Sequence, residues 1–154
     1  MVNNKMIGII NGPNINLLGT REPDVYGLCL WNSIEEQLKR QAEKMQVKLM
    51  FFQSNHEGDI VDFIHENMYK MDGVVINPAA FTKGGYSIME ALTATGIPFV
   101  EVHITNIFAR GGWHAETIFA PKAIGHINGF GNDVYFLGLT AIFNFLQKER
   151  VILR

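Results

Sequence analysis

The chain has a single cysteine, few charged residues and no block of basic side chains. Of its 154 residues 18% are charged, and the formal net charge is −2. Because Cys29 has no second cysteine to pair with, a disulfide within the chain is excluded. Because the positive charges are not clustered, nucleic acid is excluded as an expected partner.

Long apolar runs and ligand-binding signatures are also missing. The apolar stretches fall well short of the roughly 18 residues that a membrane-spanning helix needs, and residues 1–10 lack the apolar core of a secretory signal. No cysteine–histidine cluster has the spacing of a zinc site. The Asn-Gly-Pro-Asn segment after the first apolar run has the wrong glycine spacing for a phosphate-binding loop. We therefore expect a cytoplasmic protein with no membrane, metal or cofactor partner.

What is present is enough apolar side chain for a well-filled core. Hydrophobic residues make up 47% of the chain and include eleven phenylalanines. The length suits one domain spanning residues 1–154. The phenylalanines either fill the core of that domain or are partly buried between subunits, and the composition favours neither alternative.

Short apolar segments alternate with helical patterns along the whole chain. The predicted strands are Met6–Asn11, Val47–Gln53, Gly73–Asn77, Pro98–His103 and Ala123–Gly129. The predicted helices start near Ser33, Asp59, Tyr86 and Asp133. Such alternation predicts an α/β fold with a parallel sheet between two helix layers. The short connections favour a flavodoxin-like, five-stranded sheet of order 2-1-3-4-5.

Two details of the helices are predicted from local patterns. Ser33 with Glu36 has the spacing of a capping box, which would start the first helix at Ser33. In the last helix, Leu137, Ala141 and Phe145 share one face at helical spacing.

The topology gathers polar residues that are far apart in sequence. The loops after strands 1, 3 and 4 should meet at the carboxyl edge of the sheet, where doubly wound folds bind ligands. The candidate residues on these loops are Asn14, Arg21, Tyr26, Asn77, Lys83, Glu101, His103, Arg110 and His114.

Arg21 and Tyr26 lie in the first of these loops, between Gly19 and Gly27. Two glycines on either side of a reactive pair suggest a hinged flap over a pocket. A neighbouring guanidinium lowers the pKa of a phenol below its usual value of about 10. The pair is therefore a candidate for a phenolate base.

Glu101 and His103 are two positions apart on a predicted strand, so their side chains should share a face. A carboxylate beside an imidazole can fix the imidazole's tautomer for acid–base work, although such a pair can also be purely structural. The amides of Ile104 and Thr105 leave the sheet nearby and could bind a carboxylate. Asn77 ends strand 3 and would face the same space, unless it only shapes the turn before Pro78.

Several segments together resemble the type II 3-dehydroquinate dehydratase family. They are Asn-Gly-Pro-Asn-Ile-Asn-Leu-Leu-Gly at 11–19, Arg-Glu-Pro at 21–23, Gln-Ser-Asn-His-Glu-Gly at 53–58, Ile-Asn-Pro-Ala-Ala-Phe-Thr at 76–82 and Ile-Pro-Phe-Val-Glu-Val-His-Ile-Thr-Asn at 97–106. The resemblance implies a flavodoxin-like subunit in a dodecamer of four trimers. It also implies the dehydration of 3-dehydroquinate, a cyclic hydroxy-keto acid, in the shikimate pathway of aromatic amino acid biosynthesis, without metal or cofactor.

The resemblance also implies a role for particular residues. Tyr26, held as phenolate by Arg21, would remove the proton next to the ketone, and His103, oriented by Glu101, would protonate the leaving hydroxyl. Other implied roles are a water held by Asn14, a carboxylate held by Asn77 with the amides of Ile104 and Thr105, and a contact from Glu90 to a neighbouring subunit's site. Arg110 falls at a further substrate-binding position.

Two positions depart from the family pattern at one end of the predicted pocket. Lys83 stands where the family has histidine, and His114 stands where it has arginine. In the family both positions contact ring hydroxyls far from the leaving group, and such contacts discriminate strongly between substrates. The chain is thus interpreted as a 3-dehydroquinate dehydratase. The alternatives are a paralogous dehydratase for a related cyclic β-hydroxy ketone carboxylate with different distal hydroxyls, and a ligand-binding oligomer without turnover.

Overall fold

A five-stranded parallel sheet runs through the centre of the molecule in this computed structural model. The structure describes residues 5–20, 24 and 29–152, with the side chains of 149–152 left undescribed. The strands are β1 (Met6–Asn11), β2 (Lys48–Gln53), β3 (Gly73–Asn77), β4 (Phe99–His103) and β5 (Gly125–Asn128). Their order, β2-β1-β3-β4-β5, confirms the predicted fold class.

Helices follow the strands in the order that right-handed crossovers require. They are α1 (Trp31–Met45), α2 (Glu57–Asn67), α3 (Tyr86–Thr95), α4 (Ile107–Arg110) and α5 (Asp133–Ile152). Short 3-10 helices span Ile15–Leu17, Ala79–Phe81 and Gly112–Ala115. No helix in the described ranges combines the length and apolarity that crossing a bilayer demands.

The two faces of the sheet have separate apolar cores. Helices α1 and α5 cover one face, where Ile9 and Val75 are fully buried. Helices α2 and α3 cover the other face, where Ile10 and Ile76 are fully buried. Neighbouring residues of one strand enter opposite cores because strand side chains alternate. This explains why the strands read as continuous apolar runs rather than as alternating patterns.

The predicted capping box is wrong. Helix α1 starts at Trp31, so Ser33 lies within its first turn. The backbone amide of Ser33 donates a hydrogen bond to the Leu30 carbonyl. Glu36 accepts a hydrogen bond from Lys39 instead of capping the helix. Trp31 packs edge-on against Tyr135, with 5.0 Å between ring centroids, and this contact draws the chain before Ser33 into the helix.

The face of the last helix that carries Leu137, Ala141 and Phe145 is not its most buried face. Ala141 and Phe145 are partly buried and pack against the core. Leu137 is 46% exposed, whereas Leu139 and Ile142 are fully buried. Helix α5 is apolar around most of its circumference, so spacing alone does not select one face. The close approach of Gly138 to Val75 fixes the rotation, because a Cβ there would lie 3.0 Å from that side chain.

Candidate active site

A cavity of about 340 Å³ opens at the carboxyl edge of the sheet. Three loops line it, as predicted: the one after β1 through Asn14 and Leu18, the one after β3 through Thr82, and the one after β4 through Thr105. Its volume lies in the range of small-molecule sites. The convergence follows from the parallel topology, which places these strand ends side by side.

Unusual backbone geometry shapes the cavity wall. Asn14 and Ala79, which both line the cavity, have positive φ angles of 66° and 50°. Gly12 passes so close to the Pro78 carbonyl oxygen that a Cβ at Gly12 would lie 2.3 Å from it. Positive φ costs a residue with a Cβ about 1–2 kcal/mol. Such strain is concentrated at ligand sites, where the surrounding structure enforces it.

Asn77 is held by a buried chain of hydrogen bonds. Its Nδ2 donates to the Tyr135 hydroxyl at 2.9 Å, and that hydroxyl donates to Asn11 Oδ1 at 2.7 Å. Asn77 Oδ1 accepts the amide of Ala79 at 3.1 Å. Burial raises the pKa of Tyr135 well above its usual value, and the hydrogen bond from Asn77 opposes this only in part. Asn77 lines the cavity, while its side chain also shapes the turn at Ala79 and joins β3 to helix α5.

The predicted pairing of Glu101 with His103 is present and buried. His103 Nε2 lies 2.7 Å from Glu101 Oε1, and the two side chains are 7% and 0% exposed. Thr117 Oγ1 donates a second hydrogen bond of 2.7 Å to the same carboxylate oxygen. Because an ionised carboxylate only accepts, His103 Nε2 is the donor in this pair. The carboxylate thus fixes the tautomer and orientation of a ring that forms part of the cavity wall.

His126 is a third titratable side chain at this position, and the sequence reasoning missed it. The β4–β5 register places His126 opposite Glu101, and its Nε2 lies 3.7 Å from Glu101 Oε2. Burial lowers the pKa of His126, with a smaller opposing effect from Glu101 and a further lowering from His103. The available signal in the sequence was that His126 and Asn128 lie two positions apart on a short strand, so that both polar side chains share a face. Its meaning depends on the register, which the sequence does not give.

The far end of the cavity contains Arg110, Trp113 and His114. The rings of Trp113 and His114 stack at 3.8 Å between centroids. Arg110 Nη1 lies 3.5 Å from Thr105 Oγ1. Lys83 is not among the described residues that line this cavity. Its ammonium group pairs with the Glu116 carboxylate at 2.8 Å. Of the two departures from the family pattern, only His114 lines the cavity in this structure.

The remaining predicted residues are divided between the cavity, the surface and the undescribed segments. Ile104 and Thr105 line the cavity, and Glu90 is exposed on helix α3. Arg21 and Tyr26, with the flap predicted around them, fall outside the described residues. Thr82, Thr117 and Tyr135 contribute to the site and were not predicted.

Comparison with known proteins identifies the family. The family model described as dehydroquinase class II matches residues 5–143. The chain belongs to this family. A 3-dehydroquinate dehydratase from Prochlorococcus marinus subsp. pastoris is 50% identical to this class II dehydroquinase over 139 residues, which cover 90% of this chain and 95% of that protein.

Other class II dehydroquinases are similar to this chain over nearly the same length. A 3-dehydroquinate dehydratase from Caldicellulosiruptor saccharolyticus is 45% identical over 139 residues, or 90% of this chain and 96% of that protein. The crystal structure of the type II dehydroquinase from Butyrivibrio crossotus matches with a TM-score of 0.87 at 34% identity, covering 90% of this chain and 97% of that one. The predicted family is therefore confirmed by sequence and by fold.

Proposed function

We propose that this class II dehydroquinase removes water from 3-dehydroquinate to give 3-dehydroshikimate through an enolate. The observation that carries the proposal is the buried Glu101–His103 pair in the wall of the cavity. An oriented imidazole beside a small-molecule cavity is suited to protonate a leaving hydroxyl. The relatives named 3-dehydroquinate dehydratase, at up to 50% identity, supply the substrate.

Proton removal is assigned to Tyr26. As a phenolate held by the Arg21 guanidinium, it would take the proton from the carbon next to the ketone, and the electron pair of that C–H bond would pass into the enolate. Leu18, three positions before Arg21, lines the cavity, which brings the chain to the edge of the site just before this pair.

Loss of the hydroxyl is assigned to His103. As the enolate collapses, the C–O bond breaks and a protonated His103, whose Nε2 proton stays in the hydrogen bond to Glu101, gives its Nδ1 proton to the departing oxygen, so that water leaves and a neutral ring remains. Glu101 is a positioning residue in this step because it holds His103 Nε2. Thr117 in turn holds the carboxylate of Glu101.

The remaining cavity residues hold the substrate. Asn14 would hold a water against the enolate oxygen, which stabilises the charge that develops there. Asn77, with the amides of Ile104 and Thr105, would bind the substrate carboxylate. Support comes from their common position in the lining of one cavity with His103.

The test is the growth of enone absorbance when purified protein is mixed with 3-dehydroquinate. We expect turnover by the native chain and a loss of about 100-fold or more for His103→Ala. His65→Ala, which changes an exposed histidine on helix α2, is the matched control and should keep the native rate. A native chain that binds 3-dehydroquinate without forming the enone, or a His103→Ala variant of normal rate, would refute the proposal.

A paralogous dehydratase is the second candidate, because Lys83 is paired with Glu116 and directed away from the cavity. The substrate would then be a related cyclic β-hydroxy ketone carboxylate with different distal hydroxyls. The double variant Lys83→His with His114→Arg should raise the rate with 3-dehydroquinate if these positions set specificity. An unchanged preference would exclude that role. Binding of such acids without hydrogen exchange next to the ketone would indicate a ligand-binding oligomer instead.

The assembly that goes with this function is a cytoplasmic homo-oligomer, a dodecamer of four trimers in which Glu90 reaches a neighbouring subunit's site. Exposed aromatic side chains on the described surface, such as Phe108 and Phe130, support the burial of further area between copies. Light scattering after size exclusion tests the assembly, and a monomeric mass would contradict it.

A further inference from the structure

Glu101 Oε2 and His126 Nε2 approach each other without forming a direct hydrogen bond. Glu101 Oε2 and His126 Nε2 are both buried, and neither has a hydrogen-bond partner among the described residues. They lie 3.7 Å apart, which is too long for a direct hydrogen bond. A fully buried carboxylate oxygen without a hydrogen-bond partner is costly, so an additional atom that contacts both Glu101 Oε2 and His126 Nε2 would be stabilised.

His103 is a third candidate ligand at this position. One possible ligand atom from each of Glu101, His103 and His126 lies within 4.8 Å of the other two. A four-coordinate ion with bonds of about 2.0–2.2 Å separates its ligands by roughly 3.3–3.6 Å. The separation between Glu101 and His126 is already close to this value, and a ring shift of roughly 1 Å would complete the set.

The neighbours of these three side chains are also suitable for metal binding. Asn128 Nδ2 lies 3.3 Å from His126 Nδ1. With the amide reversed, Asn128 Oδ1 would accept a hydrogen bond from Nδ1–H of His126 and leave Nε2 free to coordinate. Thr117 holds Glu101 Oε1 at 2.7 Å and leaves Oε2 available.

We propose that Glu101, His103 and His126 form a binding site for one divalent transition-metal ion of the zinc type. Two imidazoles and a carboxylate suit Zn²⁺ and Co²⁺ and do not suit Mg²⁺ or Ca²⁺. Zinc-ligand spacing along the sequence could not reveal this set, because strand alternation and the β4–β5 register bring the three residues together.

The ion regulates the site and takes no part in turnover. On binding, it replaces the proton that Glu101 and His103 share, so His103 loses the contact that orients it as an acid. Metal binding itself does not depend on the reaction, whereas inhibition by the metal rests on the proposed dehydration. The two consequences are therefore tested separately.

The first experiment measures metal binding alone. Chelator-treated full-length protein is titrated with Co²⁺, and we expect visible d–d absorption that saturates at one ion per chain and disappears when Zn²⁺ is added. Mg²⁺ should not displace the ion. His126→Val should weaken Co²⁺ binding by at least about 10–100-fold, which is the loss expected when a residue that only supports a metal ligand is removed. His65→Gln, on an exposed histidine of helix α2, should bind like the native chain.

Thermal unfolding in the presence of chelator checks that His126→Val is folded, and His126→Gln replaces it if it is not. Absence of saturable Co²⁺ absorption, or equal binding by the native chain and the folded His126 variant, would overturn the proposal. The second experiment compares each protein's turnover of 3-dehydroquinate with and without Zn²⁺. We expect inhibition that chelator reverses in the native chain and at least a tenfold weaker sensitivity in the variant. Co²⁺ binding without inhibition would leave the site in place and refute its regulatory effect.

Discussion

The side-chain amide of Asn77 donates a 2.9 Å hydrogen bond to the buried hydroxyl of Tyr135, 58 positions later in the chain. The same hydroxyl donates to Asn11 Oδ1 at 2.7 Å. The ends of β1 and β3 are thereby linked to helix α5 through one phenolic oxygen. Because Asn77 lines the cavity, this oxygen couples the stability of the sheet to the position of a site residue.

Removing that oxygen should destabilise the fold. Tyr135→Phe keeps the ring but leaves the buried side chains of Asn11 and Asn77 without this partner, which costs about 1–3 kcal/mol. Urea denaturation at neutral pH measures the change. Tyr69→Phe is the control, because Tyr69 is 92% exposed and its replacement should change the stability by less than about 0.5 kcal/mol. Equal stability of the two variants would contradict the coupling.

The same tyrosine predicts a loss of stability at alkaline pH. Burial raises the pKa of Tyr135 above the value of about 10 that the unfolded chain has. Above about pH 10 the folded chain keeps a proton that the unfolded chain releases, so the contribution is complete below that pH and declines as the pH rises. We expect the free energy of unfolding to fall as the pH rises above about 10. The slope should be shallower in Tyr135→Phe, and parallel slopes would exclude Tyr135 as the cause.

Thr117 should affect the rate without contacting the substrate. Thr117→Val preserves the shape but removes the hydroxyl that donates to Glu101, so kcat should fall by roughly tenfold. KM should change little, because Thr117 is not part of the cavity lining. Thr117→Ser keeps the hydroxyl and should recover most of the rate. If the serine and valine variants were equally slow, the loss would come from packing rather than from the hydrogen bond.

Ala79 has a positive φ of 50°, a conformation that glycine adopts without steric cost. Ala79→Gly should therefore stabilise the protein by about 0.5–1 kcal/mol. Ala80→Gly, at the next residue of the same 3-10 helix, has no such strain to relieve and should destabilise by a similar amount. Chemical denaturation of both variants measures the difference, and destabilisation by both would show that residue 79 is unstrained.

Tyr26→Phe tests the assignment of the base. The variant lacks the phenol oxygen, so exchange of the hydrogen next to the ketone with solvent deuterium should slow by about 100-fold or more. Binding of 3-dehydroquinate, measured by calorimetry, should change much less because the ring remains. Near-normal exchange by the variant would show that another group removes the proton.

Elements of the fold could be predicted from the sequence where the local patterns agree with one another. The strands β1 and β3 match their predicted bounds and helix α3 begins where predicted, because each is a short apolar run or helical pattern that follows clear turn residues. The predicted start of α1 was wrong, and helical spacing did not identify the most buried face of α5. In these two places aromatic packing by Trp31 and the close approach of Gly138 to the sheet overrode the local pattern.

The sequence by itself determined the fold class, the family and, within the site, the pairing of Glu101 with His103. Strand alternation is a local property, and the parallel topology follows from the order of the elements. Only the tertiary structure decided which distant side chains join Glu101, His103 and the other residues of the site. The register of β5 on β4 places His126 at Glu101, and helix α5 brings Tyr135 to Asn77. An ion pair with Glu116 turns Lys83 away from the cavity. These relationships depend on contacts between residues far apart in the chain, and no local sequence pattern specifies which residues meet.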